Sequence, residues 1–127
     1  MQAHILIAEG DSTIRKHLVC LLRKLGHECA DVPSLPAALA ELQGQPYDIV
    51  IVDLDLARGG QGNFAEQFLE ARDSVRLIGL DTANEHDGHC VLHDRLDAVI
   101  PKPFLAEPLL ATLPALLTAR GGAPSEA

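Results

Sequence analysis

Short apolar runs without helical spacing alternate along this chain with segments whose leucines recur every three and four residues. His4 to Ala8 reads HILIA, a buried strand, and Glu9-Gly10-Asp11 follows at once. From Ser12 the period changes to Ile14, Leu18, Leu21, Leu22 and Leu25, a helix that Ser12 is placed to cap and Gly26 to stop in the left-handed conformation. His27 to Val32 reads as a second strand. Pro33 and Pro36 then bracket the start of a helix carrying Leu35, Ala38, Leu39 and Leu42, and Gly44 and Pro46 mark its end. Tyr47 to Val52 is a nearly continuous β-branched run, the pattern of a strand covered on both faces, and it ends in Asp53-Leu54-Asp55. Ala57 to Gly62 predicts a mobile loop, and Asn63 with Glu66 a capping box for a third helix through Phe68 and Leu69. Val75 to Leu80 is a fourth strand ending at Asp81 and Thr82. A weak helical segment from Glu85 to Asp94, interrupted by Gly88, and a short fifth strand at Ala98-Val99-Ile100 follow. Pro101-Lys102-Pro103-Phe104 turns the chain into a last helix with Leu109, Leu113 and Leu116 aligned, kinked or ended by Pro114. Strand and helix repeated five times predict an α/β fold, a parallel sheet with helices on both faces.

The chain's 127 residues suit one domain, and a 47% hydrophobic, 22% charged composition suits a packed core. Ten Lys and Arg against eighteen Asp and Glu give a net charge of -8, which repels phosphate backbones and anionic lipid, so no direct nucleic-acid or membrane contact is expected. Cys20, Cys29 and Cys90 form no CxxC pair, which fits reduced thiols. No run approaches the roughly 20 apolar residues of a membrane span, and a cytoplasmic location is expected.

In doubly wound sheets ligands sit at the carboxyl ends of the strands. Glu9, Asp11, Asp53, Asp55, Asp81, Thr82 and Lys102 all fall there. Carboxylates gathered in one cleft call for a cation, and hard oxygen donors in small number suit magnesium, which keeps waters and accepts a phosphoryl oxygen. In that setting a strand-end carboxylate can act as nucleophile toward a phosphoryl donor while a lysine and magnesium neutralise the spreading charge, and Asp53 is the best-placed nucleophile. Two other constellations carry rival chemistry. Asp53-Leu54-Asp55 matches the DxD of haloacid-dehalogenase-type phosphatases, which carry it on a first strand and need a longer chain. His86, His89, Cys90 and His93 share helical spacing that a transition metal such as zinc could use, on a segment with little helix character.

From Ile5 to Leu117 the chain resembles the receiver domain of two-component response regulators. The acidic turn after the first strand, the run closing on Asp53, the segment from Asp11 to Gly26 and Lys102-Pro103-Phe104 carry the resemblance. It implies a (βα)5 flavodoxin-like sheet of order 2-1-3-4-5, a receiver at residues 1–119 and a disordered tail or truncated linker at 120–127. By the same resemblance Asp53 is the phosphoacceptor, Lys102 contacts the phosphoryl group, Glu9 is one member of the acidic pair that binds Mg2+, and Asp55 lends its backbone carbonyl. The donor is a histidine kinase or phosphotransferase. The output leaves through the face of the fourth helix, fifth strand and fifth helix toward a downstream protein or output domain, and the last helix is a candidate for homodimerisation. Such a domain is not an enzyme beyond its own phosphorylation and dephosphorylation.

The departures are specific. Gly10 stands where the second acid usually ligates magnesium, and losing one charge-assisted contact of about 1.5–3 kcal/mol weakens the ion by one or two decades, with Asp11 a candidate substitute. The switch hydroxyl falls on Asp81 or Thr82, and the strand-five aromatic on Val99. These departures motivate the alternative of a phosphorylation-independent pseudo-receiver, a protein-protein docking module.

Overall fold

The computed structural model describes residues 2–58, 67, 70, 75–82 and 96–102. Eight elements run in order: β1 (His4–Ala8), α1 (Ser12–Lys24), β2 (Glu28–Val32), α2 (Leu35–Gly44), β3 (Ile49–Asp53), α3 (Asp55–Arg58), β4 (Arg76–Thr82) and β5 (Ala98–Lys102). The strands form one parallel sheet of order β2-β1-β3-β4-β5, the expected order. All five residues of β3 are buried, because it lies at the centre with helices above and below. That is why its sequence shows no alternation.

The two-residue period of the strands sorts the core into two layers. Ile5, Ile7, Ile49, Ile51, Ile78, Leu80 and Ile100 face α1 and meet its Leu18 and Leu22. Leu6, Ala8, Val50, Val52 and Leu77 face the other way, onto Leu35 and Ala38 of α2. Leu18 and Leu22 are fully buried, each contributing roughly 1.5–3 kcal/mol of hydrophobic stabilisation. Gly79 lies in β4 on the α2 side. A Cβ there would come 2.7 Å from Leu96 Cδ1 and 3.1 Å from Leu54 Cδ2, so these two leucines occupy the room a side chain would need.

Some local expectations are corrected. The N-cap of α1 is Asp11, not Ser12: the Asp11 carboxylate accepts from the N–H groups of Thr13 and Ile14, and an aspartate one residue earlier offers a charged acceptor to the helix dipole. Gly26 does take the left-handed conformation, at φ 93°. Asp55–Arg58 is helical where the loop from Ala57 was expected. β4 and β5 extend to Thr82 and Lys102, so Asp81, Thr82 and Lys102 belong to strands. Pro101 is tolerated because β5 is an edge strand with one side free of ladder bonds. Of the expected third helix, Gln67 and Glu70 are described, and both are helical. The rest of that helix, the Glu85 to Asp94 segment, the last helix and the 120–127 tail lie outside the described residues.

His27 links the amino-terminal segment to the turn after α1. Its Nδ1 accepts the Ala3 N–H at 3.0 Å, and burial holds its pKa below the ordinary value of 6.5. The unfolded chain takes up this proton first as pH falls. The contribution of His27 is therefore complete above 6.5 and shrinks as pH drops below it. Urea midpoints are expected to fall between pH about 7.5 and about 5.5, with a smaller fall in His27→Asn; equal falls in both chains would remove His27 as the cause.

Candidate functional site

The site is built at the carboxyl edge of the sheet. β1 and β3 are register neighbours up to Ala8 and Val52, so the next residues, Glu9 and Asp53, lie side by side at the rim. The alternation that puts Ile7 and Ile51 on the α1 face puts Glu9 and Asp53 there too. They are the two buried charged residues among the described ones, at 1% and 5% exposure. Placing two carboxylates together out of water is costly without positive charge or donors nearby.

Donors are present. Asp53 Oδ1 accepts the Asp55 N–H at 3.1 Å, a two-residue Asx turn that fixes the carboxylate as the chain leaves β3 for α3. Glu9 Oε2 accepts the Asp11 N–H at 2.9 Å. Glu9's backbone N–H donates to Val32 O, and its carbonyl accepts from Arg15 Nη1 at 2.8 Å. Sequence reasoning overlooked Arg15 as part of the site. Its only signal was a position four residues past Asp11, one helical turn, which turns it back toward the start of α1.

Gly10 separates Glu9 from Asp11. A Cβ there would meet Leu56 Cδ2 at 3.6 Å and Pro33 O at 3.9 Å, ordinary contact distances, and its φ lies outside the left-handed region. Neither packing nor backbone conformation demands glycine. Asp11 is exposed, and its Oδ1 is engaged in capping α1. Asp55 opens α3 with an exposed side chain, and its backbone N–H is the group joined to Asp53. On the far strands, Leu80 is the register partner of Asp53 and of Ile100. Asp81 then stands opposite Pro101, and Thr82 opposite Lys102. Thr82 and Lys102 thus arrive together at the same rim, and Asp81 is one step nearer the level of Asp53.

For magnesium, the chemistry of the donors fits: two buried carboxylates suffice for an ion that keeps several waters and shares a phosphoryl oxygen. No group of three or more His, Cys, Asp or Glu with metal-holding geometry exists among the described residues. His86, His89, Cys90 and His93 lie outside them. Cys29 is half-buried against the α1 layer, and burial pushes its thiol up to about 11, so it serves as core rather than as a ligand or nucleophile.

A family model described as the response regulator receiver domain matches residues 5–114. The chain belongs to the response regulator receiver family. The receiver is 38% identical over 120 residues to the sensory transduction protein RegX3 of Mycobacterium bovis, covering 93% of this chain and 52% of RegX3, so it spans about half the length of that relative. Among solved structures it is similar to a CheY-like response regulator receiver domain protein of Methanospirillum hungatei, with TM-score 0.83, 18% identity and coverage of 97% and 99% of the two chains. It is also similar to the chemotaxis protein CheY4 of Vibrio cholerae, with TM-score 0.73, 21% identity and coverage of 91% and 99%. These receivers share the flavodoxin-like sheet. Family membership makes the chain a signalling domain. No helix among the described residues is long and apolar enough to cross a membrane.

Proposed function

We propose that this receiver takes a phosphoryl group on Asp53 from a phosphohistidine of a histidine kinase or phosphotransferase. An Asp53 oxygen attacks phosphorus, the phosphorus–nitrogen bond breaks, the imidazole leaves with its electron pair, and an acyl phosphate remains. The observation that carries this reading is the pairing of Asp53 with Glu9, both buried, with Asp53 Oδ1 anchored by the Asp55 N–H. Anchoring Oδ1 holds the Asp53 carboxylate in a fixed orientation for attack. Glu9, Asp53 and the Asp55 carbonyl would hold magnesium, which when bound supplies positive charge to the phosphoryl oxygens. Lys102 adds its ammonium to that charge, and Thr82 or Asp81 takes the switch position. The receiver unit would span 1–119 and its tail or linker 120–127, with a cytoplasmic kinase as donor and a downstream protein or output domain as recipient.

Incubation of the intact chain with acetyl phosphate and millimolar magnesium, followed by intact mass, is expected to show one added phosphoryl group that Asp53→Asn abolishes. Absence of any Asp53-dependent adduct would leave the second reading, a phosphorylation-independent docking module. That reading is favoured by Gly10 and by Val99, an aliphatic residue 46% exposed on β5 at the place of the family's switch aromatic.

A further inference from the structure

We propose that Arg15 is a positioning residue for the acidic pocket, holding the Glu9 carboxylate in place beside Asp53. The inference rests on the phosphoacceptor reading for its consequence and on α1 geometry for its substance. Three hydrogen bonds close a circuit at the start of α1. Arg15 Nη1 donates to the Glu9 carbonyl at 2.8 Å, the Arg15 backbone N–H donates to the Asp11 carbonyl at 2.9 Å, and the Asp11 N–H donates to Glu9 Oε2 at 2.9 Å. The Arg15 side chain thus holds the Glu9 end of the turn whose middle residue is Gly10, and the first backbone bond of α1 holds its Asp11 end. Glycine gives that turn more conformational freedom than any other residue would, so the bonds around it carry its order.

A surface staple between α1 and β2 would need only the Arg15 Nε contact to Asp31 Oδ2 at 2.9 Å. The guanidinium does more, because its second nitrogen reaches inward to a carbonyl while the Arg15 side chain is just 17% exposed. A charged donor at a sheltered carbonyl is among the stronger hydrogen bonds. Lysine carries its donors on one nitrogen at the end of a flexible stem and lacks the rigid fork that places Nε and Nη1 at separate points. The Glu9 N–H to Val32 O bond completes the hold on the backbone, and the Asp11 N–H fixes the side chain.

The test uses the full chain, isotope-labelled, as wild type, Arg15→Ala, Arg15→Lys and Asp31→Asn. Hydrogen exchange of the Asp11 amide reports its bond to Glu9 Oε2, and the Thr13 and Ile14 amides report the cap of α1. Arg15→Ala is expected to speed Asp11 exchange about tenfold, beyond any change at Thr13 and Ile14, and to raise the magnesium concentration for half-maximal phosphorylation several-fold. Arg15→Lys should fall between, and Asp31→Asn should leave both readouts near wild type. Equal loosening of all three amides, or an unchanged Asp11 amide with a lower melting temperature, would reduce Arg15 to a helix staple and overturn the proposal. If the wild type takes up no phosphoryl group, the phosphoacceptor reading fails by itself, and the Asp11 amide still decides whether Arg15 orders Glu9.

Discussion

Gly10→Asp is expected to tighten magnesium binding about 10- to 100-fold. The parent chain presents two buried carboxylates at the rim, and the glycine between Glu9 and Asp11 leaves ordinary contact distance for a Cβ, 3.6 Å from Leu56 Cδ2. A third carboxylate adds a charge-assisted ligand where the backbone needs no change. It also adds repulsion when no cation is bound. The variant should therefore melt lower than the parent in chelator and gain more from magnesium. Titration calorimetry gives the affinity, and melting with and without the ion gives the split. Gly10→Ala separates the backbone effect: it should stabilise by about 0.4–1 kcal/mol in either condition without tightening the ion. An aspartate variant with parental magnesium affinity would mean that Glu9 and Asp53 do not form the cation site.

Gly79→Val is expected to lose about 1–3 kcal/mol of stability, since even its Cβ would stand 2.7 Å from Leu96 Cδ1. For a chain of this size each kcal/mol lowers the melting temperature by roughly 3–5 °C. The strain has a direction. Leu54, which also crowds Gly79, directly follows Asp53, so pushing it aside disturbs the turn that anchors the Asp53 carboxylate. Leu96→Ala opens a space that the valine can enter, and the double variant should recover part of the loss, a coupling that a two-mutant cycle reads. Additive losses would show that Leu96 is not what excludes a side chain at Gly79.

The sheet was legible because its central strand is covered on both faces: Tyr47 to Val52 could belong to few other environments, and crossovers between parallel strands almost always have one hand. The rim followed, since Glu9, Asp53 and Lys102 sit where strands end. What escaped was set by side-chain geometry. Asp11 and Ser12 are both good caps, and only the backbone turn decides that Asp11 supplies the oxygen. Arg15 was missed because its partner, the Glu9 carbonyl, carries no residue signature. Nothing in the sequence gives a reason for Gly79. Its reason is the bulk of Leu54 and Leu96, the latter seventeen residues away in the chain.

β2 is one of the two edge strands of the described sheet, with a row of backbone donors and acceptors turned outward. Its two exposed residues are Glu28 and Asp31. In a second molecule approaching edge to edge the acids of the two borders would be brought near one another, and like charges along an edge oppose such pairing. The open border of the sheet thus carries its own deterrent against fibrous self-association, and neutralising both acids would remove it.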